Sequence, residues 1–292
     1  MTSSPPAKRF DWKNLRIRLI SAFSIIPAVA LAVWLGGWTY TALICLVGLL
    51  LAREWGRLVA PSAPIRVGVV IGVSVVAVIV MTHLSGLAKQ NGWDHPERWW
   101  IATWALILVG AAVTTLVARN LTAKWPDAAY GVIYIAPAGI GMVWLRDMPQ
   151  GAEWSVYLFA VTWWTDIMAY AVGNILKGPK LWPRFSPNKT WSGFYGGLVG
   201  AVLTGIICLL ISRAFDQNFT SIPWAMLVAF VTGLATMGGD LWESMLKRRF
   251  GVKDTGGLIP GHGGVLDRVD GLMFAVMVVA VGRLLQHWSL AF

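Results

Sequence analysis

Cysteine is almost missing from this chain. Of 292 residues only Cys45 and Cys208 are cysteines, each inside an apolar run, so neither a disulfide framework nor a thiolate metal site is available. Histidine is nearly as scarce, with four in all. His83 and His95 are too poorly spaced for a metal pair and read as surface residues, and no Cys/His set is present to hold zinc. Charged side chains make up 13% of the chain against 57% hydrophobic residues, about half the charge of an ordinary soluble domain. Acid is rarer than base, 14 residues against 24, for a net charge of +10. In a soluble chain that excess would suggest nucleic acid. Here the cations fall in alternate connections between apolar blocks, the pattern of a membrane protein with its positive loops on one side, and a nucleic-acid partner is excluded. No internal repeat, low-complexity tract or separate soluble domain is visible, and no small-residue cleavage site follows the first apolar run, so that run is expected to be retained.

What the chain does have is long stretches without Asp, Glu, Lys or Arg, several of them long enough to cross a bilayer as helices. The expected fold is all-α, a polytopic integral membrane protein of about nine transmembrane helices with its N-terminus in the cytosol. The spans predicted are Leu19–Leu35, Trp38–Glu54, Val67–His83, Trp99–Ala118, Ala128–Leu145, Trp154–Leu176, Trp191–Ser212, Ser221–Gly239 and Gly271–Leu285. Gly36-Gly37 supplies the turn between the first two. The valine-rich third span is strand-like by propensity, but an isolated strand in lipid would leave its backbone unpaired. Residues 1–18 form a basic N-terminal segment, and residues 19–292 form one membrane-embedded domain with active-site loops at 177–190 and 240–270. Most of the 18 tryptophans lie near proposed span ends, as an interfacial belt requires. With nine spans, 19 Lys and Arg face the cytosol and 5 face outward.

Three polar features break the apolar pattern. Asp166 lies within a membrane-length segment, a costly position that marks a functional site by default. Helical spacing puts Asp166, Tyr170 and Gly173 on one face, a candidate substrate pocket. Lys177–Thr190 (KGPKLWPRFSPNKT) has four cations and no acid, a phosphate or anionic-lipid surface. In it, Ser186, Lys189 and Thr190 precede a new helix, where backbone donors point at anions. Between Gly239 and Gly271 the chain gathers carboxylates at Asp240, Glu243, Asp254, Asp267 and Asp270 and cations at Lys247, Arg248, Arg249, Lys253 and Arg268, around the turn Pro260–Gly264. Asp267 and Asp270 are one helical turn apart, and Asp240 can be folded back to them. Such oxygen ligands suit Mg2+ held partly by substrate phosphates. A transporter for an anionic solute would also carry many spans and an intramembrane Asp, but it does not call for this carboxylate cluster and glycine turn.

The run Ser244-x-x-Lys247-Arg248-x4-Lys253-Asp254-x5-Pro260-Gly261-His262-Gly263-Gly264-x2-Asp267-Arg268-x-Asp270 resembles the signature of the phosphatidate cytidylyltransferases, or CDP-diacylglycerol synthases. Asp166-x-x-Ala169-Tyr170 and Ser186-Pro187-x-Lys189-Thr190 resemble upstream motifs of that family. Ser192 departs from it, where many members carry Glu. The resemblance implies transfer of the cytidylyl group of CTP to phosphatidate, giving CDP-diacylglycerol and pyrophosphate for phospholipid biosynthesis. An alternative within the same chemistry is a related CTP-dependent transferase acting on another lipid phosphate. The resemblance further implies Mg2+ at Asp240, Asp267 and Asp270, a monovalent cation such as K+ nearby, a homodimer, and a multi-pass location in a bacterial inner membrane among membrane lipids, with the active site on the cytosolic side. Lys189, Lys247, Arg248, Lys253 and Arg268 are the expected phosphate-binding cations, and Gly261, Gly263 and Gly264 let the loop approach. His262 is a candidate for proton handling. Asp166, Tyr170, Ser186, Thr190 and Ser244 are expected to shape the substrate site.

Overall fold

The computed structural model describes residues 26–93, 95–258 and 263–289. The basic segment 1–18, the start of the expected first span, and Gly261 and His262 lie outside the described residues. What is described is helical apart from one hairpin: α1 (Ile26–Leu35), α2 (Gly37–Val59), α3 (Pro64–Gln90), α4 (Pro96–Ala118), α5 (Trp125–Asp147), α6 (Gly151–Leu176), β1 (Lys180–Trp182), β2 (Ser186–Thr190), α7 (Trp191–Ala214), α8 (Ile222–Phe250) and α9 (Leu266–Ser289). The strands pair antiparallel, Lys180 opposite Thr190 and Trp182 opposite Ser186.

Six helices among the described residues, α3, α4, α5, α7, α8 and α9, are long and apolar enough to cross a membrane. This corrects the expectation of about nine. The ten described residues of α1 are too few. In α2, Arg53, Glu54 and Arg57 occupy the last two turns, and α6 carries Glu153, Asp166 and Asn174 along its length; neither is among the six. The protein is nevertheless all-α and polytopic. Both helices stay in the bundle, α2 against α3 and α5, and α6 against α7 and α8.

Local chemistry sets the element ends. Gly36 and Gly37 have φ of 64° and 52°, which makes the α1–α2 turn. Thr190 caps α7 by accepting from the Gly193 N–H at 3.1 Å. At the far end of α8, Gly251 adopts φ 75° and Val252 N–H returns to the Lys247 carbonyl at 2.9 Å, closing the helix behind Lys247, Arg248 and Arg249. His83 differs from its surface reading. Helix α3 continues to Gln90, so His83 is buried, with Nδ1 at 2.7 Å from the Asp147 carboxylate.

The basic segments gather at one end of the bundle. There Thr122 donates to the Val59 carbonyl, Arg249 pairs with Asp127, and Lys124 lies over the Phe250 ring. At the other end Arg146 donates to the Val33 carbonyl, Gln90 to Asp147, and Arg283 to Pro149. The functional candidates lie at the basic end. Helices α8 and α9 cross there with their backbones touching: a Cβ on Gly239 would stand 2.6 Å from the Asp270 carbonyl, and one on Gly271 would stand 2.9 Å from that of Thr236. Bare glycines permit this approach, and it sets Asp240 beside Asp270.

Candidate active site

A cavity of about 910 Å³ opens at the basic end. Helix α6 contributes Asp166, Tyr170, Gly173 and Asn174, and the chain after it adds Lys177 and Lys180. Asn188, Lys189 and Thr190 come from β2, Gly193 and Phe194 from α7, and Met237, Asp240 and Lys247 from α8. Asp254 and then Asp267, Arg268 and Asp270 of α9 complete it. Nine of the residues expected from the sequence thus line one space: Asp166, Tyr170, Lys189, Thr190, Asp240, Lys247, Asp267, Arg268 and Asp270. Ser186, Ser244, Arg248, Lys253, Gly263 and Gly264 are not among its lining residues. Ser186 lies opposite Trp182 in the hairpin, and Arg248 is exposed, donating to the Val252 carbonyl at 3.4 Å.

The segment expected as a loop at 240–270 is helical at both ends, since α8 runs on to Phe250 and α9 begins at Leu266. Asp240, Glu243 and Lys247 therefore stand on one helical stripe. Lys247 Nζ lies 2.7 Å from Glu243 Oε2 and 2.8 Å from Asp267 Oδ1. Asp267 also accepts, on Oδ2, the Gly264 N–H at 2.9 Å and the Thr255 N–H at 3.1 Å. Lys189, reaching in from the hairpin, forms an ion pair with Asp240. Asp270 Oδ1 accepts its neighbour's N–H, that of Gly271, at 2.7 Å. Asp166 faces the same field, repelled by Asp270 and Asp240 and attracted by Lys189 and Arg268. Ser192, the departure from the family pattern, accepts the Gly178 N–H at 3.2 Å and lies 3.1 Å from the Thr190 hydroxyl, so it ties the end of α6 to the start of α7.

Several lining residues were not singled out from the sequence. Asn174 sits four residues after Tyr170, and the helical spacing that joined Asp166 to Tyr170 extends to it. Lys177 and Lys180 belong to the four-cation segment, where position alone did not separate them from membrane anchors. Glu243, which lies behind the lining and reaches it through Lys247, was visible only as one more carboxylate, although its i to i+4 relation to Lys247 was there to be used.

The arrangement combines cations for phosphates with carboxylates for a hard metal. Asp240 and Asp270 are donors of the right kind, and Mg2+ commonly takes one or two protein carboxylates, with substrate phosphates and water supplying the rest. Asp267 has both oxygens engaged by N–H donors and Lys247. Among the described residues no three His, Cys, Asp or Glu side chains are grouped to hold a metal by themselves.

The cytidylyltransferase family model matches residues 16–285, nearly the full chain. The chain belongs to the cytidylyltransferase family. Among relatives of this family member, the phosphatidate cytidylyltransferases of Brucella abortus (strain 2308) and Brucella suis biovar 1 are each 35% identical over 280 residues, covering 91% of the chain and 92% of the relative. The phosphatidate cytidylyltransferase of Staphylococcus saprophyticus is 39% identical over 170 residues, 57% of the chain and 63% of that relative. Lys247, Asp254, Asp267, Arg268 and Asp270 belong both to the run from Ser244 to Asp270 and to the lining of the cavity.

Proposed function

We infer that the chain transfers the cytidylyl group of CTP to phosphatidate, releasing pyrophosphate and leaving CDP-diacylglycerol in the membrane. The observation that carries this reading is the cavity, in which carboxylates and cations of the family signature meet at one end of an apolar helix bundle. Phosphatidate brings a phosphate oxygen that is already anionic, so no strong base is needed. That oxygen attacks the α-phosphorus of CTP, the bond to the β-phosphate breaks, and the electron pair leaves with pyrophosphate. The obstacle is repulsion between two polyanions. Lys189, Lys247 and Arg268 offset it, with Lys177 and Lys180 at the rim, as fixed positive groups held where charge develops. Asp240 and Asp270 would hold Mg2+ together with the triphosphate, and the metal when bound would supply further charge neutralisation on the phosphates. Asp267, through Lys247 and the Thr255 and Gly264 amides, fixes the geometry around them.

The proposal places the cavity on the cytosolic face of a bacterial inner membrane. The clustering of the 53–66, 119–124, 177–189 and 247–268 cations at the cavity end supports that side. Purified protein in detergent with labelled CTP, phosphatidate and Mg2+ should form CDP-lipid, with loss of signal when EDTA is added. Failure to form it with phosphatidate, alongside turnover of another lipid phosphate, would move the assignment to that substrate.

A further inference from the structure

We propose that Glu54, near the end of α2, is a positioning residue for the catalytic carboxylates of α9. The side chain is completely buried. Its Oε1 accepts the Val265 N–H at 2.9 Å, and its Oε2 accepts the Leu266 N–H at 2.8 Å and the Thr255 hydroxyl at 3.3 Å. Leu266 is the first residue of α9. The leading N–H groups of a helix have no acceptor within it, and Glu54 supplies one from more than two hundred residues away in sequence. Its charge is met by these donors and by the partial positive charge of the helix start.

The contact leads straight to the cavity. Asp267 follows Leu266, and Thr255, which donates its hydroxyl to Glu54, donates its backbone N–H to Asp267. Glu54 therefore fixes both the start of α9 and the strand of loop that holds Asp267. Two glycines leave room for it: a Cβ on Gly256 would lie 2.8 Å from Oε1, and one on Gly264 would lie 2.8 and 2.9 Å from the two oxygens. Gly264, expected from the sequence to let the loop approach phosphate, also makes space for this carboxylate. Helix α2, which contributes no cavity-lining residue, is thereby coupled to the reaction.

The test is Glu54→Gln, which retains the size but turns an NH2 toward backbone donors. With one of the two backbone amides, that of Val265 or of Leu266, left facing an NH2, kcat should fall about tenfold or more, because small displacements of reacting groups are expensive. KM for CTP and phosphatidate should stay within about threefold, since the substrate-binding cations are untouched. The exposed Lys253 in the same loop should be cut faster by trypsin in Glu54→Gln than in the wild type. Glu54→Asp, with both acceptor oxygens retained, should recover part of kcat. Gly264→Ala, whose methyl group would press on the Thr255 hydroxyl and on both Glu54 oxygens and so disturb the same hydrogen bonds, should reproduce the kcat loss and carries the test if Glu54→Gln does not fold. Wild-type kcat and wild-type cleavage at Lys253 in either variant would overturn the proposal. So would a loss that vanishes on assaying below the variant's unfolding transition. The kinetic arm rests on the cytidylyl-transfer reading, whereas the cleavage arm does not, so an inactive wild type would count against that reading and leave Glu54 still decided.

Discussion

Lys247 lies between Glu243 at 2.7 Å and Asp267 at 2.8 Å, and removing it would leave two different problems behind. Glu243 is 1% exposed, so Lys247→Met strands a buried carboxylate, a loss of about 3–5 kcal/mol for a broken buried pair. Pairing Lys247→Met with Glu243→Gln removes the stranded charge. Thermal unfolding in detergent should recover in the double variant, while CDP-lipid formation should stay low because the ammonium proposed to meet substrate phosphate is gone. Recovery of both would take Lys247 out of substrate binding. At this scale much of the site was legible: Asp166 is conspicuous as a charge in an apolar run, and Asp240, Asp267 and Asp270 as a cluster between two such runs. Glu54 was not. It reads as the polar end of a helix, and the donors that give it meaning come from residues 255, 265 and 266, which no local pattern connects to it.

Among the elements, α8 shows why boundaries were harder than existence. Its apolar run ends at Gly239, where the sequence places the end of the span, but the helix continues to Phe250 because Glu243 and Lys247 pair along it and Gly251 supplies the stop. Hydropathy reports where lipid ends, not where helical hydrogen bonding ends. The hairpin β1–β2 was hidden for a related reason: its strands have three and five residues, too short for an alternating pattern to emerge, and Lys177–Thr190 was read by charge alone. The α8–α9 crossing gives a sharp contrast between neighbouring glycines. Gly239→Ala would drive a methyl group to within 2.6 Å of the Asp270 carbonyl, whereas a Cβ on Gly238 meets nothing within 4 Å. Gly238→Ala should leave activity unchanged and raise the unfolding temperature slightly, alanine being favoured over glycine by up to ~1 kcal/mol in a helix. Gly239→Ala should lower activity by about tenfold or more through separation of Asp240 from Asp270. Equal activity of the two variants would show that the crossing has slack.

For the molecule as a whole, the two ends of the bundle carry different chemistry, and the proposed orientation rests on that difference. With Cys45 and Cys208 replaced, a cysteine at Arg184, in the exposed hairpin turn, should react with a membrane-impermeant maleimide only from the cytosolic side. A cysteine at Asn218, exposed at the opposite end, should react only from outside. Labelling of both from one side would overturn the arrangement. Fold class was legible at this scale, since apolar blocks so long leave a helical membrane protein as the only economical solution. The number of membrane-length helices was not, because α2 and α6 carry polar groups along apolar runs, Glu54 buried but Arg53, Arg57, Asp166 and Asn174 exposed, and run length alone does not separate such helices from the six. The ion pairs in the cavity have one further effect. With Lys189 matched to Asp240, and Lys247 to Glu243 and Asp267, a free anion such as inorganic phosphate must compete with carboxylates for these two ammonium groups. A nucleotide that carries its own divalent counter-ion would offer each half of a pair a new partner at once, an advantage that a bare anion lacks.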